Sequence, residues 1–381
     1  MRVNLDDRFL MIAITGSVAY GLAIEGVSDI DVKGLFIAGK PYYLGLKHIE
    51  QLEGKGETGA FTSNQKEKSL RKVDWETDKF QFLEDKDFVL YELRKYLSLL
   101  RNANPNIQEM LWLDSYLYLH PLGKLLIENR DKFLTKKVKA SYIGYANAQL
   151  RKVQTHRKWL LDPPQSKPKP EYFGFNDLYK PLTLAEINAF FYFLWLVVRD
   201  CIEYLDPAEE LRDLLLERID YKQVFLEHRF PEDAQKQIQE YTHASSDFME
   251  LTYASRRYLA AQKEWKNYQS WKEHRNEKRR VMEVKCGYDA KHASHALRLL
   301  YTGREIIQKK TLIVDRRKAG DGEYLLAVKQ GNVAYEEVMA ECDRVYNEIK
   351  GVDNKDIDLP ERVDEDFLTD LCIELVESMG F

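Results

Sequence analysis

Residues 9–37, FLMIAITGSVAYGLAIEGVSDIDVKGLFI, constrain the fold more than any other stretch. Phe9 to Thr15 is an apolar run that stops at Gly16-Ser17, which reads as a buried strand ended by a turn. Val18 to Ala23 reads as a short helix. Ser28-Asp29-Ile30-Asp31-Val32 then alternates polar and apolar residues, so a second strand is expected with Asp29 and Asp31 on one face. Two carboxylates placed this way repel each other unless a hard, oxygen-seeking cation such as Mg²⁺ joins them. A pair of such cations can clamp the attacking and leaving oxygens of a displacement at phosphorus. Gly16 lets a triphosphate approach the backbone, and Ser17 with the amides opening the next helix offers donors to phosphate oxygens. A lone D-x-D or a lone Gly-Ser carries little information. In the order strand, Gly-Ser, helix, D-x-D, strand, with eleven residues between Ser17 and Asp29, they point to phosphate and metal at one place.

This stretch resembles the signature of the polymerase-β-like nucleotidyltransferase superfamily. A two-metal enzyme of that kind needs a third carboxylate on a neighbouring strand, to hold a metal and help deprotonate the incoming hydroxyl. The candidates are Asp78, Glu84, Asp85 and Asp87. Asp87 is preferred because it directly precedes the apolar Phe88-Val89-Leu90, with Asp85 next; all four could instead be surface charges.

The rest of the chain sets bounds. Its 381 residues allow two domains, or one domain with a large helical extension. The net charge of −5 does not advertise nucleic acid, so any such binding must come from a local patch. The four cysteines, Cys201, Cys286, Cys342 and Cys372, lie far apart without a C-x-x-C, which fits a reducing cytoplasm rather than a disulfide framework or zinc knuckle. The start, MRVNLDDRFL, lacks an apolar signal region. The longest apolar run, Ala189 to Val198, is too short to span a bilayer, so no membrane association is expected.

Along the chain, Gly-rich residues 54–79 read as a loop or irregular hairpin. FQFLEDKDFVL reads as strand-like, and Leu93, Tyr96, Leu97 and Leu100 mark the apolar face of a helix from about Tyr91 to Leu100. From about residue 114 the chain becomes helical. Val138 to Leu160 carries a long helix on which Gln149, Lys152, His156 and Trp159 share a face, suited either to a base and its phosphate or to plain solvation. Four prolines make residues 162–175 a loop. Leu182 to Leu205 reads as a buried helix. Residues 255–280 interleave Lys and Arg with Trp265, Tyr268 and Trp271, a pattern that fits single-stranded nucleic acid and equally a helix core stripe. In GYDAKHASHALRLL, Ala293, Ala296, Leu297 and Leu300 form an apolar face, while Lys291, His295 and Arg298 line up on another. Three such groups can grip a triphosphate or serve a structural ion-pair set. Thr311 to Val314 reads as a short strand, Tyr335 to Ile349 and Phe367 to Met379 as helices. There is no internal repeat.

Taken together, GSVAYGLA…SDIDVKG, ELRKYLSLL…NPNIQEMLW, GYANAQLRK and GYDAKHASHALRLL are similar to one branch of the superfamily, the RNA-repair-associated nucleotidyltransferases sometimes called RlaP. The resemblance covers roughly residues 10–310 in pieces. It implies an α+β fold, with a mixed sheet flanked by helices followed by a mostly α-helical C-terminal domain, and it implies Mg²⁺, an NTP donor and an RNA end as acceptor. One position departs from the branch: the residue after Gly16-Ser17 is usually Arg and here is Val18.

The expectation is a catalytic domain over residues 1–113 and a helical substrate-binding domain over 114–381. Asp29, Asp31 and Asp87 would hold a two-metal Mg²⁺ site, and Gly16, Ser17, Lys291, His295 and Arg298 the NTP. Lys152, His156, Trp159, Trp265 and Trp271 are candidates for contact with RNA. NMP would pass to a hydroxyl, the 3′ end of RNA or tRNA. A protein side chain as acceptor and a non-catalytic RNA-binding protein with a decayed site remain the alternatives.

Overall fold

The computed structural model describes residues 8–54, 60–62, 87–189, 245–275 and 277–380. The chain falls into two compact units, residues 1–161 with 276–381, and residues 162–275. The border anticipated between 113 and 114 thus lies inside the first unit. The expected loop over most of 54–79, the candidates Asp78, Glu84 and Asp85, Cys201, and the greater part of the helix expected over 182–205 lie outside the described residues.

The first unit is built on a mixed six-stranded sheet in the order β4-β3-β5-β2-β1-β6. Its strands are β1 (Phe9–Thr15), β2 (Asp31–Phe36), β3 (Gln51–Gly54), β4 (Ala60–Thr62), β5 (Asp87–Glu92) and β6 (Tyr118–Leu119). β2 and β5 run parallel, and every other neighbouring pair is antiparallel. β1 is apolar along its whole length because both of its faces are covered. Leu10 and Met11 join the larger core, which contains the helices, while Phe9 and Ile12 join a smaller core on the other face with Val32, Phe36, Phe88 and Leu90. The expectation of an α+β fold with a mixed sheet and a helical remainder is met.

β1 ends in a single helical turn, α1 (Gly16–Ala19). After β5 comes α2 (Leu93–Arg101), which buries Leu93, Tyr96, Leu97 and Leu100, the face that the periodicity picks out. Its first turn is capped by Glu92, whose carboxylate accepts from the Arg94 amide at 2.9 Å. The long helix α3 (Lys137–Leu161) buries Val138, Tyr142, Ala146, Leu150 and Val153 on one side. That side packs along α6 (Ala290–Lys309), the most deeply buried helix described. The two approach closely because Gly303 faces Tyr142; a Cβ at residue 303 would stand 2.9 Å from the Tyr142 Cβ. Residues 311–314 are not a strand. Leu312 and Val314 are buried against the helical core, which uses the same apolar pattern without a strand partner. α7 (Gly322–Lys329), α8 (Tyr335–Gly351) and α9 (Glu365–Ser378) complete the unit, and α5 (Glu277–Cys286) leads into α6.

In the second unit, α4 (Ser246–Glu273) is the main described element. Its Tyr258 ring meets Phe173 and Phe175 at centroid distances of 5.5 and 6.0 Å. The proline-rich stretch is irregular apart from a short 3₁₀ turn at Pro170–Phe173, in keeping with its sequence.

Two glycines in the first unit test this packing. Gly144 is exposed in the middle of α3 with no atom within 4 Å of an added Cβ. Gly144→Ala is expected to raise stability by about 0.5–1 kcal/mol, since glycine is the poorer helix former. Gly303→Val is expected to lower it by about 1–3 kcal/mol through overpacking against Tyr142. Urea denaturation of the two variants checks both signs.

Candidate functional site

The strand registers assemble the site. Thr15 at the end of β1 pairs with Asp31 at the start of β2, and Asp31 pairs with Asp87 at the start of β5. The alternation of side chains then sends Asp31, Lys33 and Leu35 to the helix-covered face of the sheet. Leu35 lies in the larger core, while Val32 and Phe36 lie in the smaller one. In β5, Phe88 and Leu90 likewise point to the smaller core, so Asp87 shares the face of Asp31. Neighbouring strands stand about 4.8 Å apart, so the two carboxylates arise side by side.

Asp29 does not share this strand. β2 begins at Asp31, where its ladder with Thr15 starts, because β1 turns away into α1 after Thr15. Asp29 is exposed beside the strand start. Burial raises the Asp31 carboxyl above its usual range; Lys291 and Lys33 pull it down, and Asp29 and Asp87 push it up. Asp29 and Asp87 are thus near enough to Asp31 to bias its carboxyl.

Gly16 adopts a left-handed φ of +65°, and a Cβ there would fall 2.3 Å from Asp31 Oδ2. Both the backbone conformation and the approach of the carboxylate require glycine. Ser17 follows in α1, and Gly16, Ser17, Asp29, Asp31 and Asp87 all line a cavity of about 640 Å³. The opposite wall comes from α6, which contributes Lys291, His292, His295 and Arg298, and from α3, which contributes Gln149 and Lys152. The sequence reading thus brought eight of its site residues to one cavity, and Lys152 with them.

The cationic wall is not uniform. Arg298 is 2% exposed and pairs with the buried Glu109. Its guanidinium lies 3.7 Å from the centre of the Tyr20 ring, and the Tyr20 hydroxyl donates to the other Glu109 oxygen at 2.7 Å. Arg298 therefore ties α6 to the turn after α1 as well as facing the cavity. His295 is held neutral: burial, then Arg298, His292, Lys33 and Lys291, push it well below its usual range. Burial also lowers Lys33.

Several residues of the site were not singled out from sequence. Lys33 could have been found by carrying the two-residue period one step past Asp31. Glu109 sits in the NPNIQEMLW block but carries no local sign of its partner Arg298, 189 positions away. Lys329, from α7, is buried and donates from Nζ to the Leu22 carbonyl at 2.6 Å and to Ser28 Oγ at 3.2 Å. It thereby holds both ends of the segment that leads to Asp29.

The candidates for RNA contact separate. Lys152 is exposed on the cavity wall. Trp159 is 6% exposed with its ring stacked on His156, and His156 Nδ1 lies 2.6 Å from Asp289 Oδ2. This pair is packed rather than displayed. Trp265 and Trp271 belong to the second unit, where both are half-buried and flank the buried Tyr268 at centroid distances of 6.1 and 6.0 Å. That is the geometry of a packed stripe, with the Arg275 guanidinium 4.3 Å above Trp271.

The structure thus sets Gly16-Ser17 at the end of its first strand and carboxylates at the head of β2 and β5, in a mixed sheet. Residues 5–168 match the family model of RlaP, described as the RNA repair pathway DNA polymerase beta family, and the resemblance seen in the sequence is thereby borne out. Comparison with curated proteins and with solved structures finds no match. Among the described residues, no helix is long and apolar enough to cross a membrane.

The state of His295 makes one prediction. Its proton affinity is lower in the folded chain than the ordinary value of 6.5. The unfolded chain therefore takes up a proton below about pH 6.5 that the folded chain refuses, and stability falls as pH falls through that range. Thermal unfolding followed from pH 7.5 to 5 should show this decline, and His295→Asn should flatten it.

Proposed function

We propose that the chain is a Mg²⁺-dependent nucleotidyltransferase that moves NMP from an NTP to the 3′ hydroxyl of RNA or tRNA, in RNA repair. The observation that carries this reading is the row Thr15, Asp31, Asp87, with Gly16 held against the Asp31 carboxylate. The donor set fits the metal: exposed carboxylates that repel one another at a cavity wall are oxygen ligands of the kind Mg²⁺ takes. Asp29, Asp31 and Asp87 would hold it, and when bound it supplies neutralisation of phosphate charge.

The chain's own residues do the remainder. Gly16 and Ser17 admit and hydrogen-bond the phosphates at the opening of α1. Lys291, exposed and close enough to bias Asp31, faces them from α6, with Arg298 behind it. Neutral His295 offers a hydrogen bond rather than a charge. Lys152 stands on the wall that an RNA phosphate would reach. In this reading the metal-binding carboxylates all belong to residues 1–113, and the cations that meet substrate come mostly from 114–381. The acceptor oxygen attacks the α-phosphorus and pyrophosphate leaves, with positioning and charge neutralisation as the main sources of rate. Among the described residues, Cys286, Cys342 and Cys372 are free thiols, in keeping with the reducing cytoplasm this reading calls for.

The test is transfer of label from each of the four α-³²P NTPs, with Mg²⁺, to bulk tRNA and separately to total protein. Label is expected in RNA, in amounts that depend on which NTP is supplied. Asp29→Ala with Asp31→Ala should lose at least 10³-fold, since such groups supply several kcal/mol at the transition state. Label in protein alone would move the acceptor to a side chain. No label in either, from folded chain, would leave a binding protein.

A further inference from the structure

Where α3 packs on the head of α6, three side chains meet that the proposed transfer does not use: His156 from α3, and Asp289 and His292 from the start of α6. Each can offer one ligand atom to a metal ion, and these atoms lie within 4.8 Å of one another. Asp289 is 4% exposed. One of its carboxylate oxygens caps α6 by accepting the His292 amide at 3.1 Å. The other, Oδ2, stands 2.6 Å from His156 Nδ1 and 2.9 Å from His292 Nδ1.

The second of these short separations is not a hydrogen bond. The His292 Nδ1 is buried and has no hydrogen-bond partner, although Oδ2 is within reach. A hydrogen bond needs the N–H aimed at the oxygen. Metal ligation asks for something different: lone pairs that converge on a third point, with the ligand atoms side by side. A short N···O distance without the matching angle fits the second arrangement. A shared cation also gives the buried nitrogen the partner that such atoms normally have.

The donor set selects the ion. Two imidazoles and a carboxylate suit Zn²⁺ and its neighbours in the first transition row, whereas Mg²⁺ takes oxygen ligands. Ligand atoms about 2.0–2.2 Å from a tetrahedral Zn²⁺ stand about 3.3 Å apart. The distances to Oδ2 fall short of this by about 0.4–0.7 Å, which small turns of the two rings and the carboxylate supply. Cys286, just before this turn, directs its thiol to the Tyr288 carbonyl at 3.2 Å instead. Among the described residues no further His, Cys, Asp or Glu joins the group, so one tetrahedral position is left for water.

We propose that His156, Asp289 and His292 bind a transition-metal ion of the Zn²⁺ class between α3 and α6, with water in the fourth position. The site goes beyond the nucleotidyltransferase reading and shares no ligand with Asp29, Asp31 and Asp87. The ion joins α3, one helical turn past Lys152, to α6, one residue past Lys291, and both lysines line the cavity. It therefore fixes the two helices that carry them. The sequence hides the site because His156 and Asp289 lie 133 positions apart.

The experiment uses the full chain, stripped with EDTA, dialysed, and titrated with ZnCl₂ in millimolar Mg²⁺, which occupies carboxylate-only sites. One Zn²⁺ per chain is expected, with a rise in melting temperature. Asp289→Asn keeps the helix cap and removes the anionic ligand, and His292→Ala removes an imidazole. Both are expected to melt as the wild type does in EDTA. Both should bind Zn²⁺ at least about 100-fold more weakly, since changes one layer outside the ligands already cost about 10–100-fold. Asp31→Asn should bind Zn²⁺ as the wild type does. X-ray absorption of the Zn²⁺-loaded wild type should show ligands at about 2.0–2.1 Å with the scattering of two imidazoles, and it decides the matter even where a variant does not fold. No Zn²⁺ retained in Mg²⁺, a zinc shell without imidazole, or folded variants that keep the wild-type affinity would overturn the proposal, as would zinc lost with Asp31 rather than with His292. These readouts need no nucleotide, so a chain that binds Zn²⁺ here and transfers nothing keeps this site and loses only the nucleotidyltransferase reading.

Discussion

The hydrogen-bond register between β1, β2 and β5 is the constraint on which the site depends. It sets Thr15, Asp31 and Asp87 in one row across three strands. A slip of one residue in β2 or β5 would turn a carboxylate into the smaller core and the Val32 or Phe88 side chain to the helix-covered face. Burial on both faces is what forbids the slip. Val32 and Phe88 are buried on one side, and Leu35 on the other. The apolar residues of these strands thus fix the positions of the charged ones, and the cost of crowding three carboxylates is met by the packing around them.

The helical part of the first unit is not an appendage to the sheet. Its residues hold the turn that follows α1. The Arg316 amide donates to the Tyr20 carbonyl at 3.0 Å, Lys329 grips Leu22 and Ser28, and Arg298 stacks on Tyr20 while pairing with Glu109. A Cβ at Gly21 would meet the Arg317 and Asp315 side chains within 2.5 Å. The segment from Gly16 to Asp29 is therefore clamped by residues that follow it by about 300 positions. An unfilled break in any one of these contacts would leave a buried charge or carbonyl without its partner, at a cost of about 1–3 kcal/mol for a neutral group and more for a charged one.

Local patterns made much of this legible. The apolar run of β1, the face of α2, and the 3.6-residue rhythm of α3 and α6 are written in neighbouring residues, and they came out as read; the helix expected over Val18 to Ala23 instead starts at Gly16 and ends at Ala19. Asp87 was preferred among four acidic candidates because it directly precedes the apolar Phe88-Val89-Leu90, and β5 begins at it. What was not legible depends on distance along the chain. The short strands β3, β4 and β6 have too few residues to show a period. Asp29 reads as part of the strand because alternation cannot show where the pairing partner turns away. Trp159 and His156 present a basic, aromatic face in the sequence, yet Asp289 draws His156 inward and the tryptophan follows it into the core. Long-range pairs such as Glu109 with Arg298 leave no local trace.

The central claim is that Asp31 and Asp87, set side by side by strand register, form with Asp29 a metal-dependent nucleotide site. Calorimetric titration with a non-hydrolysable NTP analogue tests it most directly, with and without Mg²⁺, on the wild-type chain and on Asp31→Asn and Asp87→Asn. The account predicts binding that requires Mg²⁺ and weakens at least tenfold, about 1.4 kcal/mol, in both variants while their melting temperatures hold. Equal affinity without the metal, or an Asp87→Asn chain that binds as the wild type does, would contradict it.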